Sequence, residues 1–192
     1  CLVGSEMCIR DRIPGAGRAK IRRPDDTTRY WSKTTLPWMS FGYETQVPPI
    51  NTLAFFNAIA NNGKMVRPMF TKEILHNGKT VQSFSTEVIN SSICSDHTLA
   101  LIKDMLLGVV EKGTGKAVHS DIVRIAGKTG TAQTGQFREG EELKNYWFAG
   151  FYPADRPRWT IVVMQDAQTE PEVSSAAVFA RLCDALAAGE DG

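Results

Sequence analysis

The chain has 192 residues, 42% of them hydrophobic, which is enough for one domain-sized core. Its 22 Lys and Arg against 21 Asp and Glu leave a formal net charge of +1, giving no argument for nucleic acid as a partner. No apolar run approaches the ~20 residues of a membrane span.

The first residue is Cys1 rather than Met, and the stretch Cys1-Leu2-Val3-Gly4-Ser5-Glu6-Met7-Cys8-Ile9-Arg10-Asp11-Arg12 looks like translated sequencing-adapter read-through. Residues 1–12 are therefore set aside as an artefactual leader and are expected to pack against nothing, because they were not selected with the fold that follows. Residues 13–45 read as loop, broken by Pro14, Gly15, Gly17, Pro24 and Pro37. Within them Arg18, Lys20, Arg22 and Arg23 stand among Pro and Gly and read as a solvated basic cluster.

Residues 49–61 predict a helix, with Ile50, Leu53, Ala54, Phe56 and Ala60 at helical spacing and Asn61-Asn62-Gly63 as its stop. A hairpin follows: Met69–Leu75 and Lys79–Phe84 flank His76-Asn77-Gly78, and Asn-Gly is a favoured type I′ turn pair. A second helix is predicted over 96–111, carrying Leu99, Ile102, Leu106 and Val109 on one face, with Ser95 as N-cap and Gly113-Thr114-Gly115 at its end. The β-like run Ile122–Ala126 leads into Gly127-Lys128-Thr129-Gly130-Thr131-Ala132-Gln133, and a polar loop is predicted over Thr134–Asn145.

Tyr146–Tyr152 is aromatic-rich and Trp159–Met164 β-branched, both strand signatures, with Pro153-Ala154-Asp155-Arg156-Pro157 reversing the chain between them. Ser174–Ala188 repeats Ala177, Val178, Arg181, Leu182, Ala185 and Leu186 at helical spacing. Short strand-to-strand connections argue for an antiparallel sheet flanked by helices, an α+β fold, rather than a doubly wound parallel sheet. Beyond the leader the cysteines are Cys94 and Cys183, the latter in an apolar helical pattern that reads as core. No CxxC or paired-His spacing points to a metal, and His76, His97 and His119 are scattered, so no metal or cofactor is called for.

The chemistry concentrates at Lys128–Thr131. Lys128 supplies a cation and Thr129 and Thr131 supply hydroxyls, which is what a substrate ending in a free carboxylate needs at its tail. Gly130 has no side chain, so a substrate backbone can lie against the strand. A phosphate loop is the rival for Gly127-Lys128-Thr129, but that motif needs Gly at 122, where Ile122 stands. It also needs a helix from Lys128, which Gly130 and Gly135 disfavour. The other Gly-Lys-Thr, at 78–80, fails likewise because Glu73 replaces the required Gly.

Lys-Thr-Gly on a strand is one of three signatures of penicillin-recognising serine acyltransferases. Residues 13–192 as a whole resemble the C-terminal part of a class B penicillin-binding protein transpeptidase domain. The likeness is carried by Leu36-Pro37-Trp38-Met39-Ser40-Phe41-Gly42-Tyr43-Glu44, by Asn57–Pro68, by Ile125–Gln133 and by Trp147-Phe148-Ala149-Gly150-Phe151-Tyr152-Pro153-Ala154-Asp155, in this order and spacing. The wording of Leu36–Glu44 is most similar to the division-specific member from Bacteroidota.

That resemblance implies a partial penicillin-binding/β-lactamase-like transpeptidase fold. It implies a peptidoglycan D,D-transpeptidase that acylates a serine with the D-Ala-D-Ala end of a stem peptide and passes the acyl group to a neighbouring strand's amine. β-Lactams would acylate the same serine. Lys128 would then order substrate and protons as a catalytic residue, Thr129, Gly130 and Thr131 would bind substrate, and the backbone N–H of Thr131 would complete the oxyanion hole. It further implies a location on the periplasmic face of the inner membrane, an anchor upstream, and divisome proteins and a glycosyltransferase as partners.

Three departures accompany the likeness. No Ser has Lys three residues on, so the nucleophile motif is absent, and Ser-x-Asn is absent too. In the family both lie upstream, so the chain is expected to be truncated there and inactive alone. Pro48-Pro49 replaces the usual Thr-Pro opening of the first helix. A carboxypeptidase or β-lactamase relative stays open as a reading, as does a non-catalytic module binding β-lactam or wall peptide.

Overall fold

In the computed structural model of the chain, residues 17, 19–26 and 30–190 are described, so the expectation for Cys1–Arg12 falls outside them. The chain divides into two compact units, one drawn from Cys1–Ala54 and Val66–Ile89, the other from Phe55–Met65 and Asn90–Gly192.

In the first unit, β1 (Lys20–Ile21) precedes a six-residue helix, α1 (Thr35–Ser40), and β2 (Thr45–Gln46). β1 pairs antiparallel with β2, Lys20 opposite Gln46. This corrects the expectation of loop throughout 13–45. Two-residue strands and a helix of under two turns are too short to show a hydrophobic period. The segment is held by tertiary contacts instead. Trp38 meets Tyr43 edge-on at 5.3 Å and Phe41 at 5.5 Å, and Arg22 Nη1 lies 3.1 Å from Glu44. Lys20 and Arg22 of the basic cluster are thus engaged in local structure rather than loose in a loop.

α2 (Pro49–Ala60) occupies the predicted place, and β3 (Met65–Val66), β4 (Glu73–His76), β5 (Lys79–Ser83) and β6 (Val88–Asn90) follow. β4 and β5 form the predicted hairpin with His76 opposite Lys79. Both turn residues, Asn77 and Gly78, have positive φ (49° and 73°), as a type I′ turn requires. The first strand begins at Glu73 rather than Met69, and β3 and β6 carry no sequence expectation at all.

The second unit carries α3 (Asp96–Glu111), β7 (Ala126–Arg138), β8 (Glu141–Tyr152), β9 (Trp159–Gln168) and α4 (Ser175–Glu190). Ser95 caps α3 as expected, its Oγ accepting from the Thr98 N–H at 3.2 Å. The sheet is antiparallel in the order β7-β8-β9. Alternation along β8 sends Phe148 and Tyr152 to one face and Phe151 to the other. Phe148 and Tyr152 join a core with Val110, Val118, Ile125, Phe179 and Cys183. Phe151 joins Ile59, Leu99 and Ala126. The Phe148 ring meets Phe179 of α4 edge to face at a centroid distance of 4.6 Å.

Two further expectations change here. Residues Asp121–Ile125 are not strand; Ser120 Oγ accepts the N–H groups of Ile122 and Val123 and donates to Asp184 at 2.8 Å. The polar loop expected over Thr134–Asn145 is the far half of a long hairpin. Arg138 pairs with Glu141 around Glu139-Gly140, both at positive φ (53° and 87°). Three residues of β7 stand against one of β8 between Gln133 and Phe137, where Thr134 Oγ1 donates to the Leu143 carbonyl.

Candidate functional site

Lys128, Thr129, Gly130 and Thr131 lie side by side on β7, opposite Ala149, Phe148, Trp147 and Tyr146 of β8. Among the described residues β7 pairs only with β8, so its other edge is open along this stretch. Lys128, Gly130 and Thr131 are exposed and Thr129 half-buried. The structure therefore brings all four predicted site residues together on one accessible strand edge.

Glycine means different things along this strand. Gly127 and Gly150 are register partners. A Cβ at Gly127 would stand 2.6 Å from Phe148 Cε1 and 2.7 Å from the Ala149 carbonyl, and one at Gly150 would stand 2.5 Å from the Ala126 carbonyl. Their absence of side chains lets the two backbones and the Phe148 ring pack together. At Gly130 a Cβ would meet only Trp147 Cβ, at 3.5 Å, which is ordinary contact. Gly130 has no positive φ either. Packing against the neighbouring strand therefore does not demand glycine at 130.

Polar contacts converge on Thr129. Lys128 Nζ turns back along the strand and donates to the Thr129 carbonyl at 2.7 Å and to Thr129 Oγ1 at 3.2 Å. On the other side Thr129 Oγ1 lies 3.1 Å from Thr114 Oγ1. Thr114, in the helix-ending Gly113-Thr114-Gly115, carries no motif signal in the sequence and is brought to Thr129 only by the fold.

The remaining titratable groups stand apart. Cys183 is fully buried; desolvation, then the neighbouring Asp184 carboxylate, pushes its thiol up to about 12. His119 lies 3.5 Å from Asp121 at the surface. Among the described residues no cluster of His, Cys, Asp or Glu has the makings of a metal site, and no helix is long and apolar enough to cross a membrane. A small cavity between α3 and the segment before β7, lined by Leu107, Val110, His119 and Arg124 among others, has about 30 Å³ of free volume, room for water only.

Comparison with known proteins gives the family and the fold. The family model for the penicillin binding protein transpeptidase domain matches residues 22–184, and the chain belongs to that family. Stage V sporulation protein D of Bacillus subtilis is 34% identical over 132 residues, covering 66% of this chain and 20% of its own. The peptidoglycan D,D-transpeptidase MrdA of Acinetobacter baumannii is 30% identical over 147 residues, 70% of this chain and 22% of its own. The chain thus spans about a fifth of the length of these curated relatives. Among solved structures, penicillin binding protein 3 of Mycobacterium tuberculosis superposes with a TM-score of 0.83 at 25% identity, over 99% of this chain and 45% of that one. That protein has also been solved in complex with aztreonam. The α+β arrangement of helices and antiparallel sheet is that of penicillin-binding transpeptidase domains.

Proposed function

We propose that residues 13–192 are the C-terminal portion of a class B, division-type peptidoglycan D,D-transpeptidase domain, and that β7 is its substrate-binding strand. The observation that carries this reading is the open edge at Lys128–Thr131. A cation and two hydroxyls sit beside a glycine that packing does not demand. In this reading the stem peptide ending in D-Ala-D-Ala lies along the edge. Its carboxylate takes the Thr129 and Thr131 hydroxyls, and Lys128, beside them, orders substrate and protons. The backbone N–H at Thr131 helps hold the oxyanion, where fixed donors are worth most.

β-Lactams, which present a carboxylate and a reactive carbonyl together, bind the same edge. No Ser in the chain has Lys three residues on, so the acylated serine comes from a segment outside it. The complete protein acts at the periplasmic face of the inner membrane, beside a glycosyltransferase and divisome proteins. Residues 1–12 are no part of it.

The test is labelling with a fluorescent penicillin. The 192-residue chain should form no covalent adduct, and the complete protein should. In the complete protein Lys128→Ala should slow second-order acylation strongly. Labelling of Lys128→Ala at the parent rate would show that β7 is not the active-site strand.

A further inference from the structure

We infer that Thr114 is a positioning residue that aims the Thr129 hydroxyl at the substrate carboxylate. This rests on the reading of β7 as the carboxylate-binding strand. A hydroxyl has one proton to give and two lone pairs to receive. At Thr129 one lone pair is taken by Lys128 Nζ, which can only donate, at 3.2 Å. The Thr114 and Thr129 hydroxyls stand 3.1 Å apart, a distance that serves donation in either direction; in the arrangement we infer, Thr114 donates into the second. With both acceptor positions filled, the proton of Thr129 is left over, and an acceptor-only carboxylate is the partner it suits. Were Thr129 to donate to Thr114 instead, it would have no proton to offer a ligand.

The loop holding Thr114 is built as a rigid mount. The Val109 carbonyl at the end of α3 accepts from the N–H groups of Gly113, at 3.1 Å, and Gly115, at 2.9 Å. A Cβ would come within 2.9 Å of that oxygen at Gly113 and 3.1 Å at Gly115, so glycine on both sides permits the wrap. The Val118 N–H then donates to the Gly115 carbonyl at 2.9 Å, and the Val118 side chain is fully buried in the core. Thr114 is thereby fixed from both directions, with its side chain directed across to β7. Donors fixed in advance need no reorganisation when charge arrives, which is the advantage such a mount confers.

The experiment measures second-order acylation of the complete protein by a fluorescent penicillin and by its carboxyl methyl ester. Thr114→Val should slow reaction with the acid about three- to tenfold, the effect of one lost hydrogen bond. It should leave the slower reaction with the ester unchanged, and Thr114→Ser should restore the acid rate. Thr114→Ala takes the place of Thr114→Val if the latter does not fold. Acid rates equal to the parent, an equal loss on acid and ester, or no rescue by Ser would each overturn the inference. Thr129→Val is measured alongside. If it loses the preference for the acid while Thr114→Val keeps it, only the role of Thr114 fails. If Thr129→Val keeps the preference, the carboxylate subsite itself is misplaced and the role of Thr114 falls with it.

Discussion

Replacing Gly127 and Gly130 separately by alanine should divide folding from function on a single strand. Glycine within a strand ordinarily costs about 0.5–1 kcal/mol relative to alanine, so either change begins with a gain of that size. At Gly127 the new methyl would sit 2.6 Å from Phe148 Cε1, 2.7 Å from Phe148 Cζ and 2.7 Å from the Ala149 carbonyl. Neither obstacle can retreat easily: the Phe148 ring is fully buried against Phe179, and the carbonyl belongs to the paired strand. Overpacking of so stiff a site falls at the upper end of about 1–3 kcal/mol, which leaves a net loss of about 2 kcal/mol.

For a domain of this size that is about 4–8 °C in thermal midpoint. At Gly130 the methyl meets only Trp147 Cβ at 3.5 Å, so stability should hold or rise slightly. Acylation of the complete protein should nevertheless fall by about tenfold or more, because a methyl group intrudes where ligand backbone lies. Urea unfolding followed by tryptophan fluorescence reads the first quantity, with Trp147 and Trp159 in the sheet as reporters, and penicillin labelling reads the second. A Gly127→Ala protein as stable as its parent would refute the assignment of strand spacing to the Gly127–Gly150 pair. A Gly130→Ala protein that labels at the parent rate would refute the claim that this glycine is kept for the ligand.

Other consequences can be checked on the same material. Thr131→Val should spare the oxyanion hole, whose expected donor is the backbone N–H, and lose only one hydroxyl contact to the carboxylate, about three- to tenfold in acylation rate; a loss as large as that of Lys128→Ala would assign its hydroxyl a larger part. β9 is an outer strand among the described residues, and the apolar run Ile161–Met164 sits on it half-buried, so the 192-residue chain should self-associate at high micromolar concentration. Sedimentation showing a monodisperse monomer with a sharp thermal transition would count against this. Cys183 should resist maleimide at pH 8 until urea is added, while half-buried Cys94 reacts in the folded chain. Because the folded-state value of Cys183 is raised from 9.0 to about 12, its contribution to stability is complete below pH 9 and is lost as pH climbs toward 12. The loss is about 1.4 kcal/mol per pH unit over that window, and Cys183→Ala should remove this component of the alkaline slope.

What could be read from the chain depended on how far each element's physics is local. α2, α3 and α4 show a helical period over three turns or more, and Ser95 marks the start of α3 by a bond that reaches only three residues. The Asn77-Gly78 turn announces itself because few other pairs tolerate two consecutive positive φ values. The β7–β8 hairpin uses the same turn geometry with Glu139-Gly140, a pair without that signature. Its flanking strands carry Arg138, Glu141, Glu142 and Lys144 where alternation would show apolar residues. Over 134–145 only Leu143 is buried, so the alternation that identifies a strand is lost and the polar composition resembles a loop. β1, β2 and α1 are too short for a period to show; the Arg22–Glu44 ion pair joins residues 22 apart, and the cluster of Trp38, Phe41 and Tyr43, though local, follows no strand or helix period.

The site divides along the same line. Lys128, Thr129, Gly130 and Thr131 are consecutive, so a strand assignment alone was enough to bring them to one edge. Thr114 reaches Thr129 from fifteen residues away, across a 3-10 turn at Lys116–Val118 and a bend, and no spacing rule joins the two. Gly127 and Gly130 look alike in sequence, and only the distances 2.6 Å and 3.5 Å to the neighbouring strand separate a glycine demanded by packing from one that packing leaves optional. That distinction reverses the usual inference from motif glycines. The more tightly a neighbour occupies the space beside a glycine, the less that glycine says about a ligand. On β7 it is therefore Gly130, facing open space, whose substitution tests for a ligand, whereas the two glycines beside Thr114 are accounted for by the helix end they wrap.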